Sequence, residues 1–357
     1  AYFDYDSKKS GGVTISHLRF GNTPIKSTYL VEKADFVACH SPSYVTKYDM
    51  VQDLKDGGTF LLNSEWTPEN IAEHLPGQVK RYMAEHNINF YMIDGIKIGR
   101  EIGLGKRINT VLQSAFFKLA NIIPTDEAIK YMKEKALASY AKKGDDIVQM
   151  NYKAIDAGAE ALVKVEIPED WKNCPDEDFS KVATVGDQKV LDYVNNIQKK
   201  VNACKGDSLT VADFKDYADG EMPQGTAAYE KRGIAVDVPV WKHDNCIQCN
   251  QCAFVCSHAT IRPFMLSEDE VKAAPANIKL ADTKPKASEY KYTMSVSPLD
   301  CMGCGECITV CPAAAKGALK MVPQESQAAE QPVFDYLVAT VGRKPGAPAD
   351  TTVKGSQ

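Results

Sequence analysis

Eight of the chain's eleven cysteines fall in two short runs. The first is Cys246-Ile-Gln-Cys249-Asn-Gln-Cys252-Ala-Phe-Val-Cys256, and the second is Cys301-Met-Gly-Cys304-Gly-Glu-Cys307-Ile-Thr-Val-Cys311. Each reads C-x2-C-x2-C-x3-C. A cubane 4Fe–4S cluster needs one thiolate at each of four iron corners. Three cysteines spaced two residues apart wrap a loop round three corners of one cube. The fourth, one short step further on, points away from that loop. The chemistry such an arrangement supports is one-electron transfer.

This is the spacing of bacterial two-cluster ferredoxins, in which the fourth cysteine ligates the other cluster. It assigns Cys246, Cys249, Cys252 and Cys311 to cluster A, and Cys301, Cys304, Cys307 and Cys256 to cluster B. Pro312 fits the motif, whereas Ser257 stands where the first run would carry proline. A zinc site is the alternative, but it asks for two separated C-x2-C pairs and leaves the third cysteine of each run surplus. A disulfide framework is disfavoured in a long chain without a signal peptide. Cys39, Cys174 and Cys204 then read as small buried apolar residues.

The elements that must position these runs extend well beyond one cluster module. At 357 residues the chain suggests two or three domains. A hydrophobic content of 44% with 25% charged residues is that of a globular protein. The net charge of −5 argues against a nucleic-acid partner. No apolar run is long enough to cross a membrane. The start carries no targeting signal and no Met, so the chain reads as a processed or excised piece of something longer.

Residues 1–165 alternate strand and helix signals, which predicts a mostly parallel α/β sheet. The expected strands are 34–39, 59–62 and 88–93. A helix is expected from Ser41-Pro-Ser43 to about Lys55, with others near 68–74, 78–86, from Thr125, and over 146–162. The Thr125 helix carries the apolar stripe Ile129, Met132, Ala136, Leu137 and Tyr140. Ligands of such a sheet are expected at the strand carboxyl ends, after Asn63 and after Asp94. Gly95-Ile-Lys-Ile-Gly99 is neither a dinucleotide nor a Walker motif. Ser10-Gly-Gly12 after Lys8-Lys9 reads either as a tight turn or as an anion nest.

Residues 166–237 read as a small α+β linker domain with a helix around 190–201. Residues 238–325 read as a ferredoxin-like α+β domain. Its 257–300 excursion is either a shield for one cluster or a solvated loop. Residues 326–357 read as a connecting segment with one strand-like piece, Tyr336–Val341.

Three separated stretches then converge. Ser10-Gly-Gly-Val-Thr-Ile-Ser-His-Leu-Arg-Phe-Gly21, Tyr229-Glu-Lys-Arg-Gly233 and the doubled cysteine motif occur in this order in pyruvate:ferredoxin (flavodoxin) oxidoreductases. The chain resembles the middle of that family's polypeptide. By that resemblance 1–165 is the coenzyme A-side gamma-type domain, 166–237 the EKR-type linker domain and 238–325 the two-cluster domain. The family's thiamine diphosphate domains, with Mg2+ and a third 4Fe–4S cluster, are absent from this sequence. Val353–Gln357 reads as running on into one of them.

The resemblance implies oxidation of pyruvate with coenzyme A to acetyl-coenzyme A and CO2, in a cytoplasmic homodimer that reduces ferredoxin or flavodoxin. It also implies coenzyme A contacts at Lys9, Asn109 and Asn151, although both asparagines could instead cap or decorate helices. No catalytic residue is assigned to the chain itself. The competing class is a stand-alone polyferredoxin-like relay, which has no need of the N-terminal α/β domain.

Overall fold

The computed structural model describes residues 1–5, 12–26, 30–177, 183–284, 289–345 and 347. The chain divides near residue 226 into two units. Among the described residues no helix is long and apolar enough to cross a membrane.

The first unit opens with an antiparallel pair, β1 (Tyr2–Tyr5) and β2 (Thr14–His17). A four-stranded sheet follows, built from β3 (Ala34–Cys39), β4 (Leu54–Asn63), β5 (Asn89–Ile93) and β6 (Val163–Val165) in that order. The first three strands are parallel, and β6 is an antiparallel edge. The run Phe60-Leu61-Leu62-Asn63 is buried throughout because both sheet faces are covered. Phe60 and Leu62 face a core shared with α1 (Ile71–His74) and α2 (Gly77–Glu85). Leu61 faces the opposite core, shared with α4 (Asn109–Ala120) and α6 (Asp145–Glu160). Between these helices lie α3 (Gly95–Ile102) and α5 (Thr125–Tyr140). On α5, Met132 and Ala136 are buried but Leu137 is exposed.

Two expected elements of this unit fail, as does one expected burial. The helix expected over 41–55 is one 3-10 turn, Pro42–Tyr44. Ser41 caps nothing, since its hydroxyl pairs with that of Ser43. Residues 54–58 instead lengthen β4, where Leu54 is buried and Gly57 takes a left-handed φ of 72°. The other is the α+β linker. From 166 to 236 the described residues form helical turns and no strand, chiefly α7 (Gln188–Tyr193), a π-turn and α8 (Lys199–Asn202). Cys204, expected to be buried, is exposed. It takes the left-handed position that ends α8, with φ 59°, and its side chain is carried outward.

The second unit is a doubled β–α–β pattern. One half is β7 (Asp237–Trp241), α9 (Gln251–Val255) and β8 (Ile261–Leu266). After it come α10 (Glu268–Ala273) and the short β9 (Ala281–Asp282). The other half is β10 (Lys291–Val296), α11 (Glu306–Thr309) and β11 (Leu319–Pro323). The halves interlock, since β7 pairs with β11 and β8 with β10, both antiparallel. The strand expected at Tyr336–Val341 is instead part of the helix α12 (Glu330–Thr340). Its aromatic and β-branched residues favour a strand locally. Burial of Val333, Phe334 and Leu337 on one helical face overrides that preference.

Candidate iron–sulfur site

The two cysteine runs share one backbone design. Gln248 and Asn250 have φ of 57° and 59°, and Gly303 and Gly305, at the same steps of the second run, have 67° and 81°. Two left-handed residues per run turn the loop tightly enough to face three cysteines inward. A short helix then starts at once, α9 or α11. The amide two residues beyond the first cysteine donates to its sulfur in both runs, Gln248 N to Cys246 Sγ at 3.3 Å and Gly303 N to Cys301 Sγ at 3.4 Å.

Glycine adopts the left-handed region freely, whereas Gln248 and Asn250 do so at a cost of roughly 1–2 kcal/mol each. Their side chains offset it. Gln248 donates to Asp282 O and accepts from Lys284 N, each at 2.7 Å. Asn250 Oδ1 accepts from the Tyr292 hydroxyl at 2.8 Å. The 257–300 excursion therefore braces the first run, and the Lys284 ammonium also reaches Cys246 O at 2.8 Å.

The thiols gather in two crossed sets. Burial pushes Cys252 up to about 12, with Cys246, Cys307 and Cys249 adding to the rise. Burial raises Cys311 as well, and the thiols that add to it are Cys249 and Cys246 of the first run. In the other set, burial takes Cys307 to about 12, with Cys301, Cys304 and Cys256 adding to it. Cys301 is raised by burial and then by Cys256 and Cys304, against the amide of Gly303. Each run thus lends its fourth cysteine to the other's neighbourhood, and Cys252 beside Cys307 is where the sets meet. Cys252, Cys301 and Cys307 are buried, whereas Cys304 is exposed.

Among the described residues no three His, Cys, Asp or Glu side chains are grouped to hold a metal ion. A cubane spreads four thiolates over its corners, one to each iron. The donor set fits it, because each set offers four cysteine sulfurs and thiolates are the ligands such a cluster takes.

The Tyr229–Gly233 run anchors the entry to the second cysteine run. Lys231 Nζ lies 2.6 Å from Asp300, beside Cys301, and 3.6 Å from Asp335. Gly233 N donates to Leu299 O at 2.7 Å, and Gly233 has a φ of 60°. Ser297 and Gln331 complete this brace, with Ser297 Oγ 2.7 Å from Asp300 and 2.9 Å from Gln331 Oε1.

Of the residues expected to meet coenzyme A, Lys9 lies outside the described residues, as does most of Ser10-Gly-Gly12. Asn109 is exposed at the first position of α4. Asn151 is buried on α6, donating to Ile147 O at 2.8 Å and accepting from Thr110 Oγ1 at 3.2 Å. It therefore ties α6 to the residue beside Asn109. At the strand ends, Asn63 joins three elements: its amide donates to His40 O at 3.0 Å and its carbonyl accepts from Gly95 N at 2.9 Å. Asp94 caps α3 by accepting from Lys97 N at 2.8 Å.

Sequence reasoning missed Gln248, Asn250 and Thr260. The signal for the first two was the repeat itself, which aligns them with Gly303 and Gly305.

Residues 1–161 match the family described as pyruvate ferredoxin/flavodoxin oxidoreductase. Residues 181–235 match a domain of unknown function, and 245–315 a 4Fe-4S dicluster domain. The pyruvate:ferredoxin oxidoreductase of Moorella thermoacetica is 49% identical, over 100% of this chain and 30% of its own length. The pyruvate-flavodoxin oxidoreductase of Enterobacter agglomerans is 48% identical over the same shares. A pyruvate dehydrogenase (NADP+) of Cryptosporidium parvum is 43% identical, over 100% of this chain and 19% of its own length. The chain spans 30% of the length of the first two relatives. On these matches residues 1–161 are similar to the pyruvate ferredoxin/flavodoxin oxidoreductase family, and the whole chain is similar to part of the relatives named.

Proposed function

We propose that the chain is the electron-relay and coenzyme A-binding portion of a pyruvate:ferredoxin oxidoreductase. The overall reaction is pyruvate, coenzyme A and oxidised ferredoxin to acetyl-coenzyme A, CO2 and reduced ferredoxin. The observation that supports this reading is the pair of cysteine runs with one shared backbone design, in a segment that matches a 4Fe-4S dicluster domain. Cys246, Cys249, Cys252 and Cys311 hold cluster A, and Cys256, Cys301, Cys304 and Cys307 hold cluster B. When bound, the 4Fe–4S clusters pass electrons one at a time, so the two electrons of a 2-oxo acid oxidation leave in single steps.

The protein's own contribution is to hold, screen and tune. The Trp241, Ile261, Tyr292 and Met294 core packs against the cysteines and keeps water from them. Amides of Gln248 and Gly303 donate to ligand sulfurs.

The domain division follows the same reading: 1–165 on the coenzyme A side, 166–237 as linker, 238–325 for the clusters and 326–357 as connection. A stand-alone relay would have no use for the first of these. In the whole polypeptide, thiamine diphosphate, Mg2+ and a third cluster complete the path. Ferredoxin or flavodoxin is the acceptor, and the enzyme is a cytoplasmic homodimer. Lys9, Asn109 and Asn151 contact coenzyme A, and Asn151 also holds the start of α4 through Thr110.

The test is anaerobic addition of pyruvate and coenzyme A to the intact enzyme, followed by electron paramagnetic resonance. Both clusters are expected to reduce, and clusters that stay oxidised would remove the reading. In the same preparation Lys9→Ala is expected to raise the Michaelis constant for coenzyme A about tenfold, as loss of one charge-assisted hydrogen bond would, and to leave that for pyruvate unchanged. An unaltered coenzyme A dependence would refute the role of Lys9.

A further inference from the structure

Thr260 stands between the last cysteine of the first run and strand β8, and it is 4% exposed. Its amide lies 3.4 Å from Cys256 Sγ, and its hydroxyl lies 3.4 Å from the same sulfur. Cys256 and Cys301 come from different runs but fall in the same set of four. An iron-bound thiolate has no proton to give, so in the loaded site the hydroxyl is the donor. Ser297 N donates to Thr260 O at 2.7 Å and fixes the main chain at this point.

The internal repeat supplies a comparison. Four residues beyond the last cysteine of the second run stands Ala315, and the residue entering β11 is Ala318. Neither can donate a side-chain hydrogen bond. The two halves share loop conformation, spacing and topology, but the hydroxyl that Thr260 sets against Cys256 Sγ has no counterpart at Ala315 or Ala318.

Reduction of a cluster adds negative charge that spreads onto its ligand sulfurs. A donor at those sulfurs stabilises the reduced state more than the oxidised state and raises the potential. We propose that Thr260 is a positioning residue whose hydroxyl raises the reduction potential of cluster B, so that the two clusters differ although their ligand sets are alike. The inference rests on the two-cluster reading above.

The test is a redox titration followed by electron paramagnetic resonance on the intact enzyme, purified anaerobically, with Thr260→Val, Thr260→Ala and Thr260→Ser. The Val and Ala variants are expected to shift the reduction equilibrium of one cluster about tenfold toward the oxidised form. For a one-electron couple that is about 59 mV downward. The other clusters should keep their potentials, and the Ser variant should stay with the wild type. Identical potentials in Val, Ala and wild type would overturn the inference, as would Ser shifting together with Val. If neither hydroxyl-free variant holds cluster B, hyperfine spectroscopy of the wild type in heavy water decides. A hydroxyl deuteron coupled to reduced cluster B, in addition to the amide deuterons expected at both clusters, is expected, and its absence overturns the inference. Iron and sulfide counts on the wild type separate the two failures, since a protein without two clusters in this segment refutes the parent reading instead.

Discussion

Cys311→Ala is expected to strip iron from both clusters, not from one. Cys311 belongs by chain to the second run, yet its thiol stands among those of the first. Replacing it leaves cluster A with three thiolates and an iron corner open to water. The loss travels because the helix α11 that carries Cys307 ends just before Cys311. Cys252 and Cys307 moreover sit side by side where the sets meet. Metal binding here is coupled to folding of the loops, so a half-loaded module loses the contacts that order its other half. Anaerobic iron and sulfide analysis checks the result. Iron attributable to this segment should fall from about eight atoms to well under four. Retention of about four, with the spectrum of one intact cubane, would show that the halves load independently.

Gly158→Ala is expected to be strongly destabilising in the α/β unit. Gly158 lies on α6 where that helix crosses α4. A Cβ there would stand 2.2 Å from Val111 O and 3.0 Å from Ser114 Cβ. Neither neighbour can move aside. Val111 O belongs to helix backbone, and Ser114 is held by its hydroxyl, which donates to the Ile155 carbonyl at 2.5 Å. Forcing the helices apart would also open the core around Leu112, Ala115 and Ala154. Overpacking of this kind costs about 3 kcal/mol, a large part of the 5–15 kcal/mol that holds a typical domain. Urea unfolding followed by circular dichroism measures it. Gly206→Ala is the control, since a Cβ there meets nothing within 4 Å, and it should change stability by less than about 0.5 kcal/mol. Equal midpoints for the two variants would show that the α4–α6 crossing is looser than described.

How much of this was legible in the sequence depended on whether the signal was local. The cysteine runs carry their chemistry in their spacing alone. The run Phe60-Leu61-Leu62 marks a buried parallel strand because covering both faces removes the usual alternation. By contrast Ser41-Pro-Ser43 looks like a helix start, but Leu54 and the bend at Gly57 are recruited to the sheet by β3, which is a tertiary effect. The stretch around Tyr336 has strand-forming residues and becomes helical because Val333, Phe334 and Leu337 share a buried face. Asn151 illustrates a different limit. Its residue type is compatible with a ligand contact or a structural bond, and only the position of Thr110 on a separate helix shows where its amide is engaged.

The central claim is that these eight cysteines hold two adjacent cubanes with the fourth ligands exchanged. Electron paramagnetic resonance of the anaerobically purified, fully reduced 357-residue chain, with iron and sulfide counted on the same sample, tests it most directly. The account predicts about eight irons and about eight sulfides per chain, and a signal broadened by magnetic interaction between two neighbouring reduced clusters. About four of each with an unbroadened signal, or a colourless chain holding zinc, would contradict it.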